Sequence, residues 1–108
     1  MTKNEKILLK IKELVVTTIP DSDTYLYGSR ANGHFKEHSD WDLLILLNQQ
    51  YLTFHFEIEI MDAFYNLELE TGEVISPLIY TKQDWIENHS YTALFENIQK
   101  DGKRLLKI

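Results

Sequence analysis

The 108-residue sequence contains no cysteine, which excludes a disulfide framework and a thiolate zinc site and accords with a reducing compartment. It also lacks a long uninterrupted apolar segment. The opening stretch "MTKNEKILLKIKELVV" mixes charges with aliphatics, unlike a secretory leader or a membrane span. A cytoplasmic location with no membrane partner is the expectation. Basic charge is scarce: 11 Lys and Arg stand against 17 Asp and Glu, a formal net charge of -6. Nonspecific nucleic-acid binding normally needs a basic surface, so the expected partners are small or carry basic surface themselves. Internal repeats, low-complexity tracts and linkers are missing too.

The composition that remains is 44% hydrophobic and 26% charged, with 12% aromatic, as in an ordinary folded protein. The length suits one compact domain over residues 1–108, so any site is built from this single core or shared with a partner.

Thr2 and Glu5 have the spacing of a capping box, and Ile7, Leu8, Ile11, Leu14 and Val15 follow at helical intervals. A helix over about Lys3–Thr18 is expected, ended by "IPDSD". Thr24–Tyr27 reads as a short strand closed by Gly28. Trp41–Leu47 is apolar apart from Asp42, the pattern of a strand covered on both faces. Phe54, Phe56, Ile58 and Ile60 alternate like a strand, whereas Ile60, Met61, Phe64, Tyr65 and Leu67 have helical spacing; a helix over about Thr53–Glu70 is favoured, its stripe available to the core or to a second copy in a homodimer, with an acidic solvated face. Val74–Tyr80 reads as a strand whose Pro77 suggests an edge or a bulge. Thr81 caps a short helix to about Ile86, and a last helix after Ser90 uses Leu94, Phe95 and Ile98 before Gly102 stops it. The fold class is α/β: a small mixed β-sheet with helices packed on it.

Chemistry concentrates in "GSRANGHFKEHSDWDLLILL". Residues two apart on a strand project from one face, which would hold the Asp40 and Asp42 carboxylates side by side with Cα atoms roughly 6–7 Å apart. Such a pair is tolerated in water, by sharing a proton, or around a cation. Oxygen ligands suit Mg²⁺, which completes its shell with water and phosphate oxygens. Gly28 and Ser29 form a turn at the end of the preceding strand, where backbone N–H groups can approach an anion. Singly, a Gly-Ser pair is usually only a turn, and an Asp-x-Asp pair a solvated strand entrance or helix cap. Their conjunction across ten residues, leading straight into an apolar strand, is the specific signal.

That conjunction resembles the signature of the nucleotidyltransferase superfamily that includes DNA polymerase beta. It is most similar to the minimal nucleotidyltransferases, which often read Gly-Ser-Arg-Ala-x-Gly and then Ser-Asp-x-Asp-Leu. The resemblance implies the nucleotidyltransferase fold and an enzyme that transfers a nucleoside monophosphate, AMP being the expected one, from a nucleoside triphosphate to a hydroxyl. It implies two Mg²⁺ ions held by Asp40 and Asp42 as the catalytic pair, and phosphate binding by Gly28 and Ser29. Arg30 falls where the family often has arginine; contact with phosphate and a solvated loop position are both open to it. The acceptor would be a protein, such as the helical toxin that minimal nucleotidyltransferases accompany as antitoxins.

The match is incomplete at one point. The family carries a third carboxylate on the next strand, facing the pair and serving as metal ligand and base. Here the strand reads "EVISPLIY", and the expected position falls near Val74. Glu73 is the nearest substitute for that ligand, although a slip of one residue reverses the face unless the strand begins there or bulges. Loss of this group would leave an antitoxin-like binding partner with the fold but no activity. His34 and His38 are four apart without a third zinc ligand, and fit a loop near nucleotide. His55 and His89 read as surface residues.

Overall fold

The computed structural model describes residues 1–106. Helix α1 covers Lys3–Thr18. Thr2 Oγ1 accepts the Glu5 amide at 3.1 Å and Glu5 Oε1 accepts the Thr2 amide at 3.4 Å, so both partners of the expected capping box are engaged. Ile7, Ile11 and Val15 face inward. Strand β1 (Ser22–Tyr27) starts two residues earlier than its residue types suggest. Asp23, a poor strand former, is held there by Arg104 at 2.5 Å and Lys82 at 3.0 Å. Burial pushes its carboxyl up, but the hydrogen bonds from these two cations outweigh burial and hold it below the ordinary value.

One helical turn, α2 (Ser29–Asn32), follows Gly28 where only a turn was expected. Strand β2 (Trp41–Leu47) and helix α3 (Phe54–Thr71) come next, then β3 (Ile75–Thr81), α4 (Lys82–His89) and α5 (Ala93–Asp101). Helix α5 follows Ser90 as expected and is capped by Thr92, and α4 runs about one turn past Ile86. The last described element is β4 (Lys103–Leu106). Nothing in "KRLL" alternates or breaks in a way that marks a strand, and only its pairing with β1 makes it one.

The sheet order is β3-β2-β1-β4, with β2 parallel to β3 and the other pairs antiparallel. It is therefore a mixed sheet, and Pro77 lies on an edge strand, where a missing N–H leaves no ladder bond unmade. Trp41, Leu43, Ile45 and Leu47 point to one face and join the inward residues of α1 and α3. Leu44 and Leu46 point to the other and meet Trp85 and Ile98 of α4 and α5. Burial of β2 on both faces explains its near-continuous apolar run. His89 is not the bystander its sequence context suggests: its ring centroid lies 4.3 Å from that of Tyr80 and 5.7 Å from that of Trp85. No helix among the described residues is long and apolar enough to cross a membrane.

Candidate active site

Alternation along β2 places Asp42 on the same face as Leu44 and Leu46, one step beyond the residues that α4 and α5 cover. It is half-buried, and Asp40, just before the strand, is exposed. Burial raises the Asp42 carboxyl above its ordinary value, and the charge of Asp40 raises it further. The structure thus brings the two carboxylates close enough to repel. No lysine, arginine or histidine among the described residues pairs with either. Two neighbouring carboxylates without a cation of the protein's own are the kind of group a hard divalent ion can neutralise.

The Gly-Ser turn sits against this pair because β1 and β2 run antiparallel, with Tyr27 opposite Asp42. Gly28 has φ 73° and ψ -156°, a region that essentially only glycine occupies. A Cβ at this position would lie 2.5 Å from Asp42 Oδ2. Glycine is therefore required twice, for its backbone angles and for the approach of the carboxylate. Ala31 and Asn32 return their amides to the Gly28 carbonyl at 3.0 and 3.1 Å. The first amides of the turn, those of Ser29 and Arg30, have no acceptor within a helix and are the donors available to an anion.

Tyr27, which the motif did not single out, is the nearest cross-strand neighbour of Asp42. Burial first, then the charges of Asp42 and Tyr80, push its phenol up to about 12. The register that creates this pairing is a tertiary property. Its only sequence signal is the tyrosine immediately before Gly28.

Arg30 departs from both of its expected roles. It is buried, 6% exposed, and its guanidinium is occupied within the protein. Nε and Nη2 donate to the Ser39 carbonyl at 3.2 and 3.0 Å, Nη2 also to the Glu37 carbonyl at 3.1 Å, and Nη1 to Asn4 Oδ1 at 3.2 Å. Its Cζ lies 4.4 Å from the Trp41 ring centroid and 4.7 Å from that of Phe35. Trp41 points away from Asp42, so stacking on it carries the arginine to the opposite side of the sheet from the carboxylates. Arg30 braces the loop that delivers Asp40 instead of holding phosphate.

Glu73 also lies away from the pair. Its carboxylate is buried and bound by Lys3 Nζ at 3.1 Å, with Arg30 Nη2 at 3.9 Å. The parallel register pairs Trp41 with Ile75 and Asp42 with Ser76, so alternation sets Val74 and Ser76 on the aspartate face and Glu73 on the tryptophan face. Neither Val74 nor Ser76 is a carboxylate, and no group of three His, Cys, Asp or Glu among the described residues is arranged to hold a metal ion. His34 and His38 are exposed on the loop before Asp40.

A mixed sheet with an acid pair at the start of an inner strand and a Gly-Ser turn beside it defines a nucleotidyltransferase-fold domain. The chain belongs to the family described as polymerase beta, nucleotidyltransferase, which it matches over residues 10–108. Solved structures with similar folds are toxin–antitoxin complexes. One, with AMP-PNP, has 20% identity and a TM-score of 0.67, over 94% of this chain and 73% of that one. A tyrosine-to-alanine mutant of the toxin–antitoxin MntA-HpeT has 23% identity and a TM-score of 0.64, over 93% and 72% of the two chains. A second MntA-HpeT mutant, with two aspartates changed to glutamate, has 19% identity and a TM-score of 0.64, over 100% and 75%. No curated protein matches the chain in sequence.

Proposed function

We propose that this protein is a Mg²⁺-dependent nucleotidyltransferase that moves a nucleoside monophosphate, AMP, from a nucleoside triphosphate to a hydroxyl on a partner protein. The observation that carries this reading is the close approach of Gly28 to Asp42, which puts the Gly-Ser turn beside that carboxylate. Asp40 and Asp42 would hold Mg²⁺, and the metal would supply charge neutralisation and alignment of the triphosphate. The Ser29 and Arg30 amides and the Ser29 hydroxyl would hold phosphate oxygens. The acceptor oxygen bonds to the α-phosphorus, the bond from that phosphorus to the bridging oxygen breaks, pyrophosphate leaves, and the hydroxyl proton passes to water. A protein acceptor is supported by the occurrence of similar folds in toxin–antitoxin complexes.

A second reading keeps the fold and the nucleotide but not the turnover, leaving an antitoxin-like binding partner. The presence of Val74 and Ser76 where a third carboxylate would face the pair favours it. Thermal unfolding with ATP and Mg²⁺, together with pyrophosphate release in the presence of a hydroxyl-bearing protein acceptor, separates the two. Ligand at about 100 times its Kd adds roughly 2.7 kcal/mol of stability. A Tm rise that Asp42→Ala abolishes, with pyrophosphate release, supports the enzyme. The same rise without release supports the second reading, and an equal rise in the variant removes the metal assignment from both.

A further inference from the structure

Helix α3 is apolar on two faces. Ile60, Phe64 and Leu67 enter the core. A second series, Phe54, Ile58, Met61, Tyr65 and Leu69, is between 41% and 78% exposed. Single exposed apolar residues are ordinary, but these recur at intervals of four, three, four and four, which aligns them in one stripe along the helix. From Phe54 to Leu69 the stripe runs about 22 Å, given the rise of an α-helix. Beside it lies a groove of about 450 Å³, walled by Ile58 and Met61 on one side and by Pro77, Leu78 and Tyr80 of the edge strand β3 on the other. Helix α3 packs on the face of the sheet opposite Asp42, and the groove turns round the β3 edge, where Leu78 and Tyr80 belong to the Asp42 face.

The charge around this surface is of one sign. Helix α3 carries five carboxylates, Glu57, Glu59, Asp62, Glu68 and Glu70, and no lysine or arginine. Lys10 engages Glu70, His55 engages Glu59, and Glu68 accepts the Ile75 amide. Glu57 on the groove wall and Asp62 on the far side have no such partner among the described residues. A second copy packed face to face would set these carboxylates against their own equivalents. Like charges directly opposed across an interface disfavour it.

We infer that the α3 stripe and the adjoining groove are a docking site for a cationic amphipathic helix of a partner protein, its apolar side seated between α3 and β3 and its lysines or arginines reaching Glu57 and Asp62. This is the helix-in-groove mode of recognition, anchored at intervals of three and four residues. The stripe itself is separate from the aspartates, because α3 packs on the tryptophan face of the sheet.

The test uses three synthetic peptides of about 18 residues, long enough for the stripe: a leucine-striped helix flanked by lysine, its twin flanked by glutamate, and a lysine peptide with scrambled leucines. Binding to the whole chain is read by fluorescence anisotropy. The lysine-flanked stripe should bind at least tenfold more tightly than either control and weaken as salt screens the charges. Met61→Glu and Tyr65→Ser, at exposed positions, should each weaken it at least tenfold. Val16→Glu on α1 and Asp42→Ala should leave it within twofold, which keeps failure here distinct from failure of the nucleotide reading. No binding, equal binding of the scrambled peptide, or indifference to Met61→Glu overturns the inference. Sedimentation showing a dimer that Met61→Glu dissociates also overturns it, by assigning the surface to a second copy.

Discussion

Gly28 lies so close to Asp42 that a single methyl group on its Cα would stand 2.5 Å from the carboxylate oxygen. This contact couples the turn that would cradle phosphate to the side chain that would hold metal. Gly28→Ala should displace Asp42 and also force alanine into a backbone region that costs non-glycine residues on the order of 1–3 kcal/mol. The expected outcome is a Tm lowered by about 5–15 °C and loss of the Mg²⁺·ATP-induced shift. In Gly28→Ala/Asp42→Ala the clash is relieved but the backbone strain persists, so differential scanning calorimetry should recover part of the Tm loss and not all of it.

Asp42 is expected to be a site where function opposes stability. Its folded pKa lies above the ordinary carboxylate value through burial and the charge of Asp40. In the window between those two values the native state binds more protons than the unfolded chain, so stability falls as pH rises through it. At neutral pH the whole penalty is present. Asp42→Asn should therefore raise the Tm by a few degrees at pH 7 and lose that advantage as the pH drops below about 4. Paired melts across pH 3–7 check the sign.

Arg30 is expected to act through the loop it braces. Lysine cannot reproduce a planar fork that reaches the Glu37 and Ser39 carbonyls together, so Arg30→Lys should destabilise the protein by about 2–3 kcal/mol. Because Asp40 follows directly on Ser39, the Mg²⁺ concentration needed for the nucleotide-induced Tm shift should rise severalfold. ATP affinity measured by calorimetry without metal should stay within twofold. An arginine in contact with phosphate would give the reverse pattern.

Val74 should accept the carboxylate that the pair lacks. It is 52% exposed and lies on the aspartate face beside Ser76, so Val74→Asp should fold with less than about 1 kcal/mol of loss. A carboxylate there would complete a three-acid cluster for metal. The expected result is a lower Mg²⁺ requirement and at least a tenfold gain in pyrophosphate release, equivalent to about 1.4 kcal/mol of barrier. Glu73→Gln, on the opposite face, should leave the Mg²⁺ requirement unchanged and lower the Tm by loosening Lys3 and Arg30.

Elements whose pattern is local were legible beforehand. The α1 capping box and stripe and the β2 run, apolar apart from Asp42, reflect contacts within a few residues, which propensity and periodicity encode. Strand β4 and the first two residues of β1 were not legible, because β4 is a strand only through its pairing with Thr24–Leu26, and Ser22 and Asp23 only through theirs with Leu47 and Leu46, with Arg104 and Lys82 reaching Asp23 from distant parts of the chain. The acid pair and the Gly-Ser turn could be named from their spacing, but not the closeness of their approach.

Residue order alone determined that two carboxylates precede a buried strand ten residues after a glycine-led turn, since spacing and apolarity are written along the chain. Which side each neighbouring group faces was decided by tertiary structure. The antiparallel register brought Tyr27 and Gly28 to Asp42, and the parallel register sent Glu73 to the tryptophan side. Burial against Trp41 turned Arg30 from a loop cation into a brace. The physical reason is that alternation reverses a side chain's face with every residue, so its surroundings depend on which strands pair and in what register.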